Sequence, residues 1–437
     1  MLKVVKFGGS SLASAEQFRK VAEIVRAEGD RRYVVPSAPG KRHKGDTKVT
    51  DMLYAGYEMA SRGEDITECF GEIEARYDGI ISGLSMEFSL EDEYVSIKNA
   101  FIHKAGRDFA ASRGEYLNGR ILAKYLGYDF IDAAEVIFFN DNGQFDSERT
   151  NAVLSAELKK HERAVIPGFY GSMPNDTIKT FSRGGSDITG SIVARAAGCD
   201  LYENWTDVDG FLMADPRIVE NPRIISEVTY KELRELSYMG AGVLHEDAIF
   251  PVRFAGIPIN IRNTNNPEAH GTLILSSSNK YDTGNVITGV AGKKGFSVIT
   301  IEKDMMNAEV GFGRRVLEVL EHAGICFEHL PSGIDNMSVI INTHDLEGRR
   351  DQILNGICRA VNPETIEIED GLALVTVVGR AMVKAKGTAA RVFKAISGAG
   401  INIRMIDQGS SEISIIVGVE EADFEDAVRA IYQEFVY

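Results

Sequence analysis

The stretch "KVVKFGGSSLAS", Lys3–Ser14, decides the fold of this chain. Its apolar run has the pattern of a buried strand, yet it carries one lysine, Lys6, and ends in the adjacent glycines Gly8 and Gly9. Glycine permits positive φ and lets a ligand approach backbone N–H groups closely. A lysine at the end of such a strand could reach phosphate oxygens and stabilise a transferring phosphoryl group. The alternative is an ordinary strand-to-helix turn whose lysine extends to solvent.

Short β-branched runs alternate with helical patterns through the first part of the chain. A helix pattern over 15–29 precedes a strand pattern over 33–40. Further along, residues 129–138 have the pattern of a strand and turn, 163–171 that of a buried strand, and 200–210 that of a strand with a loop. This alternation predicts an α/β fold with a mostly parallel sheet sandwiched by helices. Ligands in such folds bind beyond the carboxyl ends of the strands, where the glycine-rich turns of this sequence fall.

A second glycine pair occurs in "FSRGGSD", residues 181–187. Arg183 precedes the glycines, and Ser186 or Asp187 is placed to cap the helix that follows, which Gly198 ends. A helix N-terminus beside an arginine can bind a phosphate or a carboxylate. The alternative is a capped helix with a surface arginine.

Several other chemistries are disfavoured by the motifs. The first lysine precedes its glycines, so the turn is not a Walker A loop, and no GxGxxG or GxSxG sequence occurs. "DVDG" lacks the remaining acidic positions of a calcium loop, and the eight histidines show no metal-like spacing. Two anion-binding glycine loops therefore favour phosphoryl transfer by positioning and electrostatics, without a covalent intermediate and without a metal site built by the protein itself.

Composition excludes other partners and compartments. The chain has 437 residues, enough for two or three domains, and a net charge of −16, which disfavours nucleic acid as a partner. No apolar run approaches the ~20 residues needed to span a membrane. We expect no signal peptide, because a strand pattern begins directly after Met1, and we interpret four widely separated cysteines as reduced thiols of a cytoplasmic protein.

The composition and the pattern of predicted elements change after about residue 277. A segment rich in Ser, Gly and Lys predicts a linker over 277–295, and the remainder forms a loose repeat of two βαββα units. Strand patterns in the repeat include 325–333, 365–370 and 372–379. Neither unit contains a cluster of nucleophile, base and metal ligands, which favours a regulatory role for this tail.

The motifs, taken in order, resemble those of the aspartate kinases of the amino acid kinase superfamily. The matching stretches are "VVKFGGSS", "VVPSAPG", "KVTD", "FSRGGSD", "WTDVDGFLMADPR" and "LHEDAIFPV", and "AGINIRMIDQGSSEISI" resembles the second of two ACT domains. The resemblance covers the chain and implies a catalytic domain over 1–283 followed by two α+β, ferredoxin-like ACT domains over 295–369 and 370–437. It also implies ATP and Mg²⁺ as cofactors and L-aspartate as the substrate.

The resemblance further implies roles for individual residues. Lys6 and Asp187 are implied to be catalytic, the lysine stabilising the transferring phosphate and the aspartate orienting the lysine. The implied ATP contacts are Lys6, Gly8, Gly9, Ser10, Thr206, Asp207, Leu212, Arg217, Gly242 and Val243. The implied aspartate contacts are Ser37, Thr50, Glu115, Arg183, Gly184, Gly185 and Ser186. Leu212 and Gly242 depart from the tyrosine and lysine that relatives have there.

Regulation by an amino acid is implied for the tail, with L-lysine favoured over L-threonine, at an interface between ACT units of two subunits in a homodimer or a dimer of dimers. The implied effector contacts are Met306, Glu309, Gly311, Phe312, Gly313, Cys326 and Glu328. Glu309 and Glu328 are the acidic candidates for binding the ε-ammonium group of lysine. The alternatives are an acetylglutamate or glutamate kinase and a non-catalytic amino-acid sensor, which intact Lys6, Arg183 and Asp187 argue against.

Overall fold

The computed structural model describes residues 1–182, 184–240, 246–276 and 285–437, which divide into two compact units. The first unit comprises, of the described residues, 1–182, 184–211, 224–230 and 246–276. The second comprises 212–223, 231–240 and 285–437. No described helix combines the length and apolarity needed to cross a bilayer.

Ten strands of the described residues belong to the first unit. They are β1 (Lys3–Phe7), β2 (Arg31–Pro36), β3 (Asp129–Phe130), β4 (Ala164–Val165), β5 (Tyr170–Ser172), β6 (Ile178–Thr180), β7 (Leu201–Thr206), β8 (Glu227–Thr229), β9 (Ile259–Asn263) and β10 (Thr272–Leu275). Eight of them form one sheet in the order β3-β4-β2-β1-β7-β9-β10-β8, and β5 and β6 form a hairpin. Among these described strands the sheet pairs in parallel except between β9 and β10, which confirms the predicted mostly parallel sheet.

The helices of the described residues follow in chain order. They are α1 (Ala15–Ala27), α2 (Val49–Ser61), α3 (Thr67–Gly83), α4 (Glu91–Ile102), α5 (Arg107–Leu126), α6 (Ala133–Val136), α7 (Ser147–Leu158), α8 (Gly185–Ala197), α9 (Tyr230–Tyr238), α10 (Glu246–Ala255), α11 (Phe312–His322), α12 (Arg350–Val361), α13 (Thr388–Gly398) and α14 (Phe424–Val436). Ser14 caps α1 by accepting a hydrogen bond from the N–H of Gln17, and Gly198, at φ 57°, ends α8 as predicted. The predicted capping of α8 by Ser186 or Asp187 is wrong, because the helix begins at Gly185 with Gly184 as its N-cap.

The sequence pattern was least informative between β2 and α5. Three consecutive helices, α2, α3 and α4, occupy residues 49–102 without an intervening strand. Of the strand and turn predicted over 129–138, the strand comprises only Asp129–Phe130, and a short helix, α6, stands where the turn was predicted, because Asp132 caps it by accepting from the N–H of Ala134. A local capping interaction thus ends the strand after two residues.

In the described part of the second unit, the strands form one five-stranded antiparallel sheet. Its strands are β11 (Gly289–Glu302), β12 (Asn336–Asn342), β13 (Thr365–Val378), β14 (Met405–Asp407) and β15 (Ser414–Glu420), in the order β12-β11-β13-β15-β14. With α11–α14 they give the α+β composition predicted for the tail.

Three details of the second unit differ from the sequence prediction. The linker predicted over 277–295 is wrong from Gly289 on, because β11 begins there and pairs with β13. The strands predicted over 365–370 and 372–379 are one continuous strand, β13. Residues 325–333 form only isolated bridges, at His329 and Ser332, instead of the predicted strand. Pairing of β11 with β13, which lie far apart in sequence, decides the first two outcomes.

Candidate active site

The central strand β1 places Lys6 at the carboxyl end of the parallel sheet. Lys6 is paired with Val35 of β2 and with Asn204 of β7, so the loops that follow these three strands lie side by side. All five residues of β1 are buried. The lysine in this apolar strand is therefore buried at the end of the sheet, and its side chain does not extend along the surface.

Lys6 belongs to a buried polar cluster with Asp187 and Asn204. The residue Lys6 is 6% exposed, and its Nζ lies 2.5 Å from Oδ1 of Asp187 in the first turn of α8. The same Nζ donates to Oδ1 of Asn204 at 3.5 Å, and Nδ2 of Asn204 donates to Oδ1 of Asp187 at 2.9 Å. The predicted pair of Lys6 and Asp187 is therefore in contact. Asn204 was not among the predicted site residues.

The first glycine pair allows the loop after β1 to lie close to the backbone of the neighbouring loop. A Cβ atom at Gly9 would lie 3.0 Å from the carbonyl oxygen of Ala38, in the loop after β2. Neither glycine uses the positive φ that glycine permits: Gly9 has φ −61°, and Gly8 is not among the residues with positive φ. The N–H of Gly8 donates to the carbonyl oxygen of Trp205 at 3.0 Å, which ties the loop after β1 to β7.

The second glycine pair lies at the start of α8. Gly184 has φ 61°, a conformation that favours glycine, and a Cβ atom at Gly185 would clash with the ring of Phe169. On the other side, a Cβ atom at Gly168 would lie 2.7 Å from Cβ of Ser186. The loop after β4 therefore packs directly against the N-terminus of α8. Arg183, the predicted carboxylate ligand, lies outside the described residues.

Helix α5 brings the other predicted aspartate contacts together. A Cβ atom at Gly114 would lie 2.9 Å from Cβ of Ala38 and 3.8 Å from Oγ1 of Thr50, so α5 approaches both the loop after β2 and the start of α2. One turn further on, Nδ2 of Asn118 donates to the carbonyl oxygen of Ser37 at 2.6 Å. Ser37 and Thr50 are thereby held beside the turn of α5 that carries Glu115.

Glu115 is a buried carboxyl group with unused hydrogen-bonding capacity. Its residue is 6% exposed, and its Oε1 accepts from Oγ of Ser186 at 3.5 Å. Its Oε2 is buried without a hydrogen-bond partner in the described part of the chain. Burial raises the pKa of Glu115 to about 8, against the lowering effect of hydrogen bonds from Ala38, Glu115 itself and Ser186. Such a carboxyl group can bind a cationic group of a ligand through its free oxygen.

The predicted nucleotide contacts are distributed over both units. Thr206 ends β7, and its Oγ1 donates to Oδ1 of the exposed Asp207 at 3.2 Å. Leu212 and Arg217 belong to the second unit, where the exposed Arg217 binds Asp215 with Nε at 3.0 Å and Nη2 at 2.5 Å. Gly242 and Val243 lie outside the described residues.

The predicted effector contacts lie in the second unit around the start of α11. Gly311, at φ 82°, precedes the helix, Met306 and Phe312 are buried, and Gly313 is partly buried. Glu309 is already paired with Lys303 at 2.7 Å and with Arg315, and the Lys303 hydrogen bond is the main cause that lowers the pKa of Glu309. Cys326 is exposed.

Glu328, the second acidic candidate, accepts from the hydroxyl of Tyr238 at 2.5 Å. Burial, and secondly this hydrogen bond, raise the pKa of Tyr238 to about 12. Of the two acidic candidates, Glu328 is bound by a neutral hydroxyl in this contact and Glu309 by two cations. Within the described ranges, no group of three or more His, Cys, Asp or Glu side chains is arranged to hold a metal ion.

Comparison with known proteins agrees with this geometry. Residues 1–263 match the amino acid kinase family, and residues 375–435 match an ACT domain. Aspartokinase 3 of Bacillus subtilis is 42% identical over 450 aligned residues, which cover 99% of this chain and 98% of that protein. Chloroplastic aspartokinase 1 of Arabidopsis thaliana is 28% identical, covering 99% of this chain and 80% of the relative.

Solved structures share the fold over the whole chain. The aspartate kinase of Clostridium acetobutylicum, described as an allosteric enzyme, superposes with a TM-score of 0.91 at 53% identity and 99% coverage of both chains. E. coli aspartokinase III in complex with aspartate and ADP superposes with a TM-score of 0.72 at 25% identity and complete coverage of both. This chain therefore belongs to the aspartate kinases of the amino acid kinase family.

Proposed function

We propose that this aspartate kinase transfers the γ-phosphoryl group of ATP to the side-chain carboxylate of L-aspartate at the carboxyl end of β1. The product is 4-phospho-L-aspartate, which opens the route to lysine, threonine and methionine. The observation that carries this assignment is the buried Lys6, whose Nζ lies 2.5 Å from Asp187 between two glycine turns. A buried ammonium group at a sheet end is preorganised to stabilise negative charge on a transferring phosphoryl group.

Lys6 and Asp187 are assigned as the catalytic residues. Lys6 stabilises charge on the phosphoryl oxygens, and Asp187 orients the lysine through the contact already present. The substrate carboxylate is itself the nucleophile, so no protein nucleophile is needed. The chain contributes by holding both substrates in line and by placing a cation at the transferring group.

ATP is assigned to the first glycine turn and its neighbours. The N–H of Gly8 already binds Trp205, so we assign Gly9 and Ser10 as the amides that contact phosphate and Gly8 as the residue that fixes their loop. The remaining proposed contacts are Thr206, Asp207, Leu212, Arg217, Gly242 and Val243. Mg²⁺ on ATP phosphates needs only one or two protein carboxylates, and the exposed Asp207 at the end of β7 fits that requirement. The ion would neutralise phosphate charge.

L-Aspartate is assigned to the group formed by Ser37, Thr50, Glu115, Arg183, Gly184, Gly185 and Ser186. Glu115 is the acceptor for the α-ammonium group, because that group is the only cation of the substrate and Oε2 of Glu115 is buried without a partner in the described part of the chain. Arg183 is assigned to a substrate carboxylate, for which a guanidinium offers paired donors. Binding would release a proton from Glu115 below about pH 8.

Feedback control is assigned to the tail. We propose that L-lysine, with L-threonine as the second candidate, binds at the start of α11 between ACT units of two subunits in a homodimer or a dimer of dimers. Two ACT domains, 295–369 and 370–437, share the five-stranded sheet in this proposal, with their division inside β13. E. coli aspartokinase III has been solved with lysine and aspartate bound, and with this chain it shares the fold.

The remaining assignments are the catalytic domain, 1–283, and a cytoplasmic location. All four cysteines lie in the described residues and are free thiols, which suits a reducing compartment. One experiment tests the central assignment: hydroxylamine capture of the acyl phosphate with aspartate, glutamate and N-acetylglutamate as acceptors. We expect product with aspartate alone. Product only with another acceptor identifies a different amino acid kinase, and no product with any acceptor identifies a sensor.

A further inference from the structure

We infer that Asn204 is a positioning residue that keeps Asp187 hydrogen-bonded while Lys6 turns from Asp187 to the transferring phosphate. This inference rests on the proposed roles of Lys6 and Asp187. In this role the neutral amide of Asn204 keeps a hydrogen bond to the Asp187 carboxylate during the part of each turnover in which Lys6 has moved away.

The strand register places Asn204 where this task can be performed. Asn204 is the residue of β7 paired with Lys6 of β1, and it is 3% exposed. Adjacent parallel strands direct paired side chains to the same face of the sheet. The Asn204 amide therefore lies beside the Lys6 side chain at the end of the sheet.

Only one orientation of the Asn204 amide satisfies both neighbours. Its Nδ2 donates to Oδ1 of Asp187 at 2.9 Å, and its Oδ1 accepts from Nζ of Lys6 at 3.5 Å. A flipped amide would place its N–H groups against an ammonium and its oxygen against a carboxylate. The ion pair thus fixes the amide, and the amide in turn fixes the carboxylate.

The two bonds of Asn204 differ in a way that suits a moving lysine. At 3.5 Å, the contact with Lys6 is at the limit of a hydrogen bond and is given up at little cost. The 2.9 Å bond to Asp187 remains when Lys6 turns to phosphate. Without it, the departing lysine would leave a partly buried carboxylate short of donors, which is costly. Asp187 would then hold Lys6 more tightly in the ground state than in the transition state, and kcat would fall.

Asn204→Leu tests the inference by removing both hydrogen bonds while keeping the number and branching of the side-chain heavy atoms. We expect kcat to fall by about tenfold or more, the effect of ~1.4 kcal/mol on the barrier, with both KM values changed by less than about threefold. Asn260→Leu is the matched control, because Asn260 lies on the neighbouring strand β9 with its Oδ1 buried. We expect the control to retain the wild-type kcat.

Asn204→Asp supplies a readout that a purely structural role would not move. A protonated carboxyl group reproduces the amide, donating to Asp187 and accepting from Lys6, whereas an ionised one repels Asp187 and holds Lys6. Two adjacent carboxyl groups resist double ionisation, so the variant should titrate at an accessible pH. We expect the ratio of variant to wild-type kcat, per folded enzyme, to rise as the pH is lowered from about 8.5 to about 6.

The outcomes separate this inference from the proposed function. A wild-type enzyme without aspartate kinase activity overturns the proposed function, and the inference with it. An active wild type together with an unchanged kcat in Asn204→Leu, or with a pH-independent ratio in Asn204→Asp, overturns the inference alone. If Asn204→Leu fails to fold, as judged by its thermal unfolding midpoint, the pH profile of Asn204→Asp decides.

Discussion

The N–H of Gly40 donates a 2.8 Å hydrogen bond to the carbonyl oxygen of Gly9, and a Cβ atom at Gly40 would lie 2.5 Å from the carbonyl carbon of Gly9. The loops that follow β1 and β2 therefore make direct backbone–backbone contact, with no side chain between them. Arg76 secures the second loop by donating to the carbonyl oxygen of Gly40 at 2.5 Å and binding Asp46 at 2.6 Å. The position of the proposed phosphate-binding turn thus depends on a residue of the neighbouring loop.

Gly40→Ala should push this turn away from its position. The added methyl group would lie 2.5–2.7 Å from backbone atoms of Gly9 and Ser10, and backbone cannot yield as a flexible side chain can. We expect KM for ATP to rise by about tenfold, which corresponds to ~1.4 kcal/mol. Gly45→Ala is the control in the same loop, since its nearest neighbour is the His43 ring at 3.8 Å. Equal ATP kinetics in the two variants would contradict the prediction.

Lys6→Ala should abolish turnover without unfolding the enzyme. Removal of a preorganised charge at the reacting group typically lowers the rate by ~10²–10³ or more. Lys3→Ala, at the other end of β1, should lower the stability of the fold and leave turnover unchanged, because Nζ of Lys3 lies 3.1 Å from the fully buried Glu203.

For Lys3→Ala we expect a loss of about 2 kcal/mol of unfolding free energy, below the ~3–5 kcal/mol for breaking a buried pair, since Arg31 still binds Glu203 at 2.8 Å. Its kcat should stay near wild type. Steady-state kinetics and urea unfolding measure both quantities. A Lys6→Ala enzyme that keeps half of the wild-type kcat would remove Lys6 from the mechanism.

Glu115→Gln should weaken aspartate binding and flatten its pH dependence. The folded pKa of about 8 means that the wild-type carboxyl group gains its charge only as the pH rises through 8, so wild-type KM for aspartate should fall between about pH 6.5 and 8.5. The neutral variant should show a higher KM that does not change over this interval. Glu91→Gln, an exposed change on α4, is the control.

Stability provides an independent check on Glu115. Because burial raises its pKa above the usual 4.5, the carboxyl group favours the folded state below about pH 4.5, and this contribution is lost as the pH rises through 8. The unfolding midpoint of Glu115→Gln relative to wild type should therefore increase from pH 5 to pH 8.5. A constant difference over this range would show that Glu115 ionises normally in the folded enzyme.

Glu328→Gln should reduce inhibition by L-lysine. The variant keeps an acceptor for the Tyr238 hydroxyl but loses the charge that would bind an ε-ammonium, so we expect the half-inhibitory lysine concentration to rise by about tenfold. Glu309→Gln should have the smaller effect, because Lys303 and Arg315 already bind that carboxylate. Equal lysine inhibition of wild type and Glu328→Gln would exclude the carboxylate role, and inhibition by threonine alone would exclude lysine as the effector.

Local pattern was sufficient for the class of fold and for the main site elements. The apolar period of β1, the glycines after it and the helix that ends at Gly198 are encoded by neighbouring residues, and the alternation of strand and helix patterns predicts the mostly parallel sheet. The pairing of Lys6 with Asp187 is implied by the resemblance to the aspartate kinases, and the structure shows the two side chains in contact. The helices over 49–102 did not follow, because no strand pattern marks their boundaries.

The sequence by itself determined that a lysine and two glycine turns follow strands of a mostly parallel sheet, since the alternation of strand and helix patterns and the glycine positions can be read along the chain. Only the tertiary structure decided that Asn204 joins Lys6 and Asp187, because this depends on the register of strands 198 residues apart. It also decided the raised pKa of Glu115 and the bare contact of Gly9 with Gly40. Burial and backbone approach are properties of packed elements, and a pattern along one chain segment does not contain them.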